Sequence, residues 1–124
     1  MKLSQKEFDR AVRRAMDRIP DEIREHLENV VITVRKRPSR EMLDGLGMDA
    51  DDQPLGLYQG ASLMERSVFA PPLYPDTIFI FQEPLERMCD TLKELEQEIE
   101  ITVVHEIAHF LGIEDDRLAE LGYG

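Results

Sequence analysis

Apolar residues recur at the spacing of an amphipathic helix near the start of the chain. Ser4 precedes this segment and Glu7 follows three residues later, which is the pattern of a capping box. The pattern predicts a helix that runs to about Ile19, where Pro20 breaks it and can open a short second helix over residues 21–28. The residues that this spacing directs toward the core are Phe8, Val12, Ala15, Met16 and Ile19.

Three runs rich in β-branched and aromatic residues predict strands over residues 30–35, 55–59 and 77–81. The last run has four consecutive apolar residues, which indicates burial on both faces of the strand. The pattern also allows a β-excursion at 67–69 and a helical turn at 41–46. Residues 84–88 are expected to be a connection, and 48–54 a solvated acidic loop.

A long helix is predicted after Asp90 or Thr91, either of which can cap it. Its first half should be solvated, whereas its second half is apolar on nearly every side and should be buried. Gly112 can end the helix in the left-handed conformation, and a last short helix is expected over 116–121. The apolar residues are Ile99, Ile101, Val103, Val104, Ile107, Ala108, Phe110 and Leu111.

Charged residues on both long helices are expected to form solvated faces. His26 lies among charges and is expected at the surface. The basic cluster of the first helix consists of Arg10, Arg13, Arg14 and Arg18, and the charged residues in the first half of the long helix are Lys93, Glu94, Glu96, Glu98 and Glu100.

Four polar residues interrupt the apolar half of the long helix: Thr102, His105, Glu106 and His109. The last three belong to an H-E-x-x-H pattern, in which two histidines four residues apart lie on one helix face and can bind one metal ion. Glu106 beside them is placed to act as a general base toward water. The alternative is a pair of core histidines satisfied by carbonyl groups, but buried polar groups without a function would each need a partner.

Helix geometry does not select a third ligand, because the helix is expected to end at Gly112. Glu114, Asp115 and Asp116 are the candidates. Ile113 should turn inward beside the end of the helix, which leaves the following carboxylates to diverge. Alternatively, Asp115 or Asp116 only caps the last short helix.

The string H-E-I-A-H-F-L-G-I-E-D-D-R-L resembles the zinc-binding segment of the small, single-domain zincin-like metallopeptidase family of bacteria. The resemblance continues through L-G-L-Y-Q-G at 55–60 and D-T-I-F-I-F at 76–81, and spans about residues 7–122. It implies that His105, His109 and Asp115 hold zinc and that Glu106 is the catalytic carboxylate. We accordingly expect Asp116 to be the cap of the last helix. Family members often carry a further His where this chain has Phe110.

These patterns predict one α+β domain over residues 1–124, and the resemblance implies that it is a minimal zincin-like fold. Three or four strands should form one sheet, packed against the metal-bearing helix with the first helix alongside. The expected function is zinc-dependent hydrolysis of peptide bonds, with Glu106 as general base. Two alternatives are a non-catalytic zinc-binding or interaction module and a metal-dependent ribonuclease. No role is assigned to Tyr58, Tyr74 or Tyr123.

Charge narrows the expected partners. The 124 residues include 15 basic and 26 acidic side chains, which gives a formal net charge of −11. Such a charge disfavours binding of nucleic acid, which argues against the ribonuclease alternative. It also disfavours anionic membrane surfaces, whereas a peptide or protein substrate is tolerated.

Cys89 is the only cysteine, so no intramolecular disulfide is expected, and the residue should simply pack in the core. The first residues lack an apolar signal core, and no apolar run is long enough to span a membrane. A cytoplasmic, reducing location is the expectation.

Overall fold

The computed structural model describes residues 1–49, 51–60 and 76–123, so the β-excursion expected at 67–69 lies outside the described residues. The helices are α1 (Gln5–Arg18), α2 (Asp21–Arg24), α3 (Arg40–Gly45), α4 (Gln82–Met88), α5 (Leu92–Leu111) and α6 (Asp115–Glu120). The strands are β1 (Val30–Arg35), β2 (Gly56–Gln59) and β3 (Asp76–Phe81), and a 3₁₀ turn at Glu25–Leu27 follows α2.

The three strands form one mixed sheet in the order β1-β3-β2. β1 runs parallel to β3, with Val30 opposite Asp76, and β2 runs antiparallel to β3, with Gly56 opposite Ile80. α5 packs against β2 and β3, and α1 packs against α5. The predicted α+β class, with a small sheet against the long helix and the first helix alongside, is confirmed.

The core lies between the sheet, α1 and α5. The central strand β3 contributes Ile78 and Ile80, both fully buried. On the other face of β3, Phe81 is also fully buried, whereas Phe79 is half-buried beneath the Arg35 guanidinium. Burial on both faces of this strand is therefore only partly achieved. Cys89 is buried in the same core, as predicted for a packing residue.

Local sequence signals mark several helix ends. Ser4 and Glu7 form the predicted capping box of α1, and the Thr91 hydroxyl accepts a hydrogen bond from the Glu94 amide at the start of α5. Gly112 ends α5 with a φ of 70°, in the left-handed region that favours glycine. The expected connection at 84–88 is wrong, because this segment belongs to α4, with Pro84 in the first turn, where a missing amide hydrogen is tolerated.

The charged residues of α1 and α5 were expected to be solvated, and for Glu96 of α5 this expectation is wrong. Its side chain is only 6% exposed and accepts hydrogen bonds from Arg14 Nη1 at 3.2 Å and Arg18 Nη2 at 3.0 Å. Packing of α1 on α5 brings these charges together across about eighty residues of sequence, which the pattern of either helix alone cannot reveal. The ion pairs replace the water that the buried carboxylate loses.

The expected burial of the whole second half of α5 is also wrong at its end. Its buried positions stop at Ala108, and Phe110 and Leu111 are 56% and 39% exposed. Among the described residues, no helix is both long enough and apolar enough to cross a membrane.

Candidate metal centre

The second half of α5 divides into a core face and a polar face. Val103, Val104 and Ile107 are buried against the sheet and α1, whereas His105 and Glu106 are half-buried and His109 is exposed. Because a helix turns about 100° per residue, residues 105 and 109 share the face that the core leaves uncovered. The H-E-x-x-H residues therefore border solvent.

The two histidine rings lie next to each other, with centroids 6.4 Å apart and planes inclined by 60°. His105 Nε2 is 3.1 Å from the backbone carbonyl oxygen of Tyr123. A carbonyl oxygen only accepts hydrogen bonds, so a neutral His105 that makes this contact carries its proton on Nε2 and has its lone pair on Nδ1. A histidine that binds a metal commonly donates its other ring N–H to a carbonyl in this way.

Glu106 is held by the neighbouring strand. Its Oε2 accepts a hydrogen bond of 3.0 Å from the backbone amide of Tyr58 in β2. Burial raises the pKa of the Glu106 carboxyl above its ordinary value, while the Tyr58 amide, His109 and His105 oppose the shift. A carboxylate with a raised pKa is a better proton acceptor near neutral pH than one in open solvent.

Tyr58 is itself fixed on two further sides. Its ring stacks on Phe110 with centroids 4.3 Å apart, and its hydroxyl donates a hydrogen bond of 2.8 Å to Asp76 Oδ2. Phe110 stands where members of the family that this chain resembles often have a further His. In this chain the Phe110 ring instead packs on Tyr58 of β2, the strand whose amide holds Glu106. No role for Tyr58 or Tyr123 was expected from the sequence. Both residues contact the site through backbone groups, which are the same in every residue type.

Strand β2 can approach α5 this closely because residue 56 is glycine. A Cβ at this position would lie 2.6 Å from Thr102 Cγ2 and 2.9 Å from the Phe79 carbonyl oxygen. Thr102 cannot yield easily, since it is buried and its hydroxyl donates a hydrogen bond of 2.7 Å to the Glu98 carbonyl. Gly56 therefore sets the spacing between β2 and Glu106.

We expect Gly56→Ala to lower the free energy of unfolding by about 1–3 kcal/mol, the usual cost of overpacking a close contact. Denaturant unfolding measures this change. The matched control is Gly45→Ala, because a Cβ on Gly45 at the end of α3 meets no atom within 4 Å. The control should be neutral or stabilising by up to about 1 kcal/mol. Equal stability of the two variants would contradict the close approach of β2 to α5.

A cavity of about 480 Å³ lies against the polar face of α5. Its lining includes His105, Glu106 and His109 of α5, together with mostly apolar residues of β2 and of the segment before β2. This volume is within the range of small-molecule and peptide-side-chain sites. Both histidines and the carboxylate thus face one common space.

The structure does not bring Asp115 to the histidine pair. Within residues 1–49, 51–60 and 76–123, no group of three His, Cys, Asp or Glu side chains is placed to hold one metal ion. Asp115 is an exposed residue in the first turn of α6. The expectation that Asp116 caps this helix is wrong. α6 begins at Asp115, and its N-cap is Glu114, whose side chain makes no capping hydrogen bond.

The donors that are present suit zinc in kind. Zinc binds imidazole nitrogens at about 2.0–2.1 Å, and two histidines one helical turn apart beside a carboxylate are a common zinc-site arrangement. The Tyr123 carbonyl contacts one ring nitrogen of His105, and the other ring nitrogen remains for a metal ion. The two histidines are thus of a ligand type that zinc accepts, and a third ligand would have to come from outside this pair.

Comparison with known proteins gives an independent result. The sequence model of a family described as zincin-like metallopeptidase matches residues 27–124, which is most of the chain. The fold is similar to that of a conserved hypothetical protein from Thermus thermophilus, with a TM-score of 0.61, 18% identity, and coverage of 88% of this chain and 94% of that chain. At this identity the likeness concerns the fold alone. No curated protein matches the sequence.

Proposed function

The chain belongs to the zincin-like metallopeptidase family, and on that premise we propose that it hydrolyses peptide bonds with one zinc ion held by His105, His109 and Asp115. The observation that carries this proposal is that both histidines and Glu106 line the same cavity. A cavity that carries a base and two metal-binding nitrogens on one wall can hold a peptide bond beside all three.

In this proposal zinc, when bound, supplies a Lewis acid that polarises the carbonyl of the cleaved bond. The protein's own contribution begins at Glu106. The Tyr58 amide occupies Oε2, and Oε1 has no hydrogen bond within the described part of the chain. We assign Oε1 as the atom that takes the proton from the attacking water.

The same carboxyl then completes the reaction. As the water oxygen bonds to the carbonyl carbon and the C–N bond breaks, Glu106 returns its proton to the departing amine. One water molecule is consumed, and one carboxyl group and one amine are released. The Tyr58 amide keeps the carboxylate in one orientation through both proton transfers.

The chain reversal at Gly112 supports Asp115 as third ligand. The Ile113 amide donates a hydrogen bond of 2.9 Å to the Ala108 carbonyl, so the chain turns back at the His109 end of α5. Ile113 is half-buried against the core, as expected for an anchor of this turn. Asp115 follows two residues later, at the end of the H-E-x-x-H-x-x-G-x-x-D string.

We expect Asp115→Ala to weaken zinc binding more than about 100-fold, because changes outside the ligand shell already cost about 10–100-fold. The matched variant is Asp116→Ala, since both carboxylates are exposed in the first turn of α6. It should keep zinc and lose only about 0.3–1 kcal/mol of stability, from the helix dipole. A competition titration with a zinc-binding dye measures both. Zinc loss in Asp116→Ala alone would reverse the assignment.

Metal analysis combined with a broad peptide library tests the proposed function. We expect about one zinc per chain and cleavage that a chelator abolishes. Bound zinc without cleavage of any peptide would instead favour the non-catalytic module. A cytoplasmic location, where Cys89 stays a thiol, is part of the proposal.

A further inference from the structure

The cavity beside the histidine pair has a second chemical feature, which the proposed reaction does not use. Glu98 of α5 also lines this cavity. It lies two helical turns before His105, with Ile101 and Thr102 in the turn between them. Its side chain is half-buried, and among the described residues no Lys, Arg or His forms an ion pair with it. The α5 side of the cavity therefore ends in a carboxylate whose charge is not neutralised by any cation of the described residues.

The lining of the cavity outside α5 is apolar and partly open to water. It includes Leu46, Met48, Leu55 and Leu57, and of these Leu46 and Met48 are 39% and 36% exposed. Large apolar side chains that remain exposed around a cavity are typical of a surface that an apolar ligand group covers. An apolar substrate side chain would remove them from water.

Helix geometry gives the distance along α5 between Glu98 and His105. Residues 98 and 105 are seven positions apart on α5, which corresponds to about 10 Å along the helix axis. An extended peptide advances about 3.3 Å per residue. A group that reaches Glu98 therefore belongs to a residue two or three positions away from the bond beside His105.

We infer that the cavity selects an extended peptide with an apolar side chain beside the cleaved bond and a Lys or Arg two or three residues away, which pairs with Glu98. This inference rests on the proposed function. The net charge of −11 acts in the same direction, because it attracts cationic peptides and repels acidic ones over a longer range. The local Glu98 contact and the global charge have separable effects, and the test distinguishes them.

The first part of the test is cleavage of a randomised decapeptide library by the zinc-loaded wild-type protein, with product termini identified by mass spectrometry. We expect Leu, Met or Phe beside the cleaved bond to be favoured over Ser at least about tenfold, from burial of the side chain. Lys or Arg two or three residues away should be favoured over Gln about fivefold, near the upper limit for a partly exposed ion pair.

The second part replaces Glu98. Glu98→Lys should reverse the preference, so that Glu is favoured over Lys at that distance, and Glu98→Gln should abolish it. The matched control is Glu28→Lys, which makes the same change in net charge at an exposed site that does not line the cavity. The control should keep the preference for Lys at the fixed distance, and lower the cleavage of all cationic peptides slightly.

Three results would overturn the inference. Cleavage without a preference for cations at this distance would refute it while leaving the proposed function intact. An equal response of Glu98→Lys and Glu28→Lys would assign the preference to net charge and not to Glu98. Failure of the zinc-loaded wild type to cleave any library peptide would refute the proposed function, and this inference with it.

Discussion

His105→Ala and His109→Ala are each expected to abolish tight zinc binding. Each variant removes one imidazole from a pair that lies on one face of α5 and borders one cavity. Since loss of a partner outside the ligand shell already weakens metal binding about 10–100-fold, loss of a ligand should weaken it by more than about 100-fold. Both residues are partly exposed, so the fold should tolerate the change.

The measurement is the zinc content of the purified variants, followed by a zinc titration against a competing dye. His26→Ala is the matched control, because His26 is exposed and does not line the cavity. It should bind zinc as the wild type does. Unchanged zinc affinity in either His105→Ala or His109→Ala would remove that residue from the ligand set.

Glu106→Gln is expected to lower peptide cleavage by about 10²–10⁴-fold while zinc binding stays near the wild-type level. The amide keeps the shape of the side chain, and its oxygen can still accept the hydrogen bond from the Tyr58 amide. It cannot take a proton from water. The loss should therefore appear in the rate and not in the metal content or the stability.

Kinetics on one cleaved peptide, with the variant loaded to one zinc per chain, measures this effect. Glu28→Gln is the control, since it makes the same chemical change at an exposed site away from the cavity. Cleavage by Glu106→Gln at the wild-type rate would show that another group is the base.

The parts of the fold that the sequence predicted depend on neighbours within one or two helical turns. The capping box of Ser4 and Glu7 and the left-handed end at Gly112 are of this kind. Strand β1 lies where its β-branched residues indicated. For the same reason the H-E-x-x-H face could be predicted, because its spacing already determines which side chains lie side by side.

The parts that the sequence did not predict depend on contacts between distant segments. Glu96 is buried because α1 brings two arginines to it, although the surrounding glutamates look solvated. Glu106 is held by a backbone amide of β2, and His105 by a backbone carbonyl after α6. A backbone group has the same chemistry in every residue, so neither contact could be identified in advance.

The start of α6 shows a third kind of difference. Asp116 was expected to cap this helix, but Glu114 is the N-cap and both aspartates lie in the first turn. N-cap preference favours Asp over Glu, whereas the helix dipole favours an acidic residue anywhere in the first turn, so local preference did not predict that Glu114 precedes both aspartates. The same ambiguity affects the third ligand, which stays a prediction at Asp115.

Zinc-dependent recovery of cleavage tests the central claim most directly. The protein is stripped with a chelator, zinc is returned in known amounts, and cleavage of one peptide is followed at each step. We predict no cleavage without metal, a rise in proportion to added zinc, and a plateau at about one zinc per chain. Cleavage that persists in the stripped protein, or that does not respond to zinc that binds, would contradict the account.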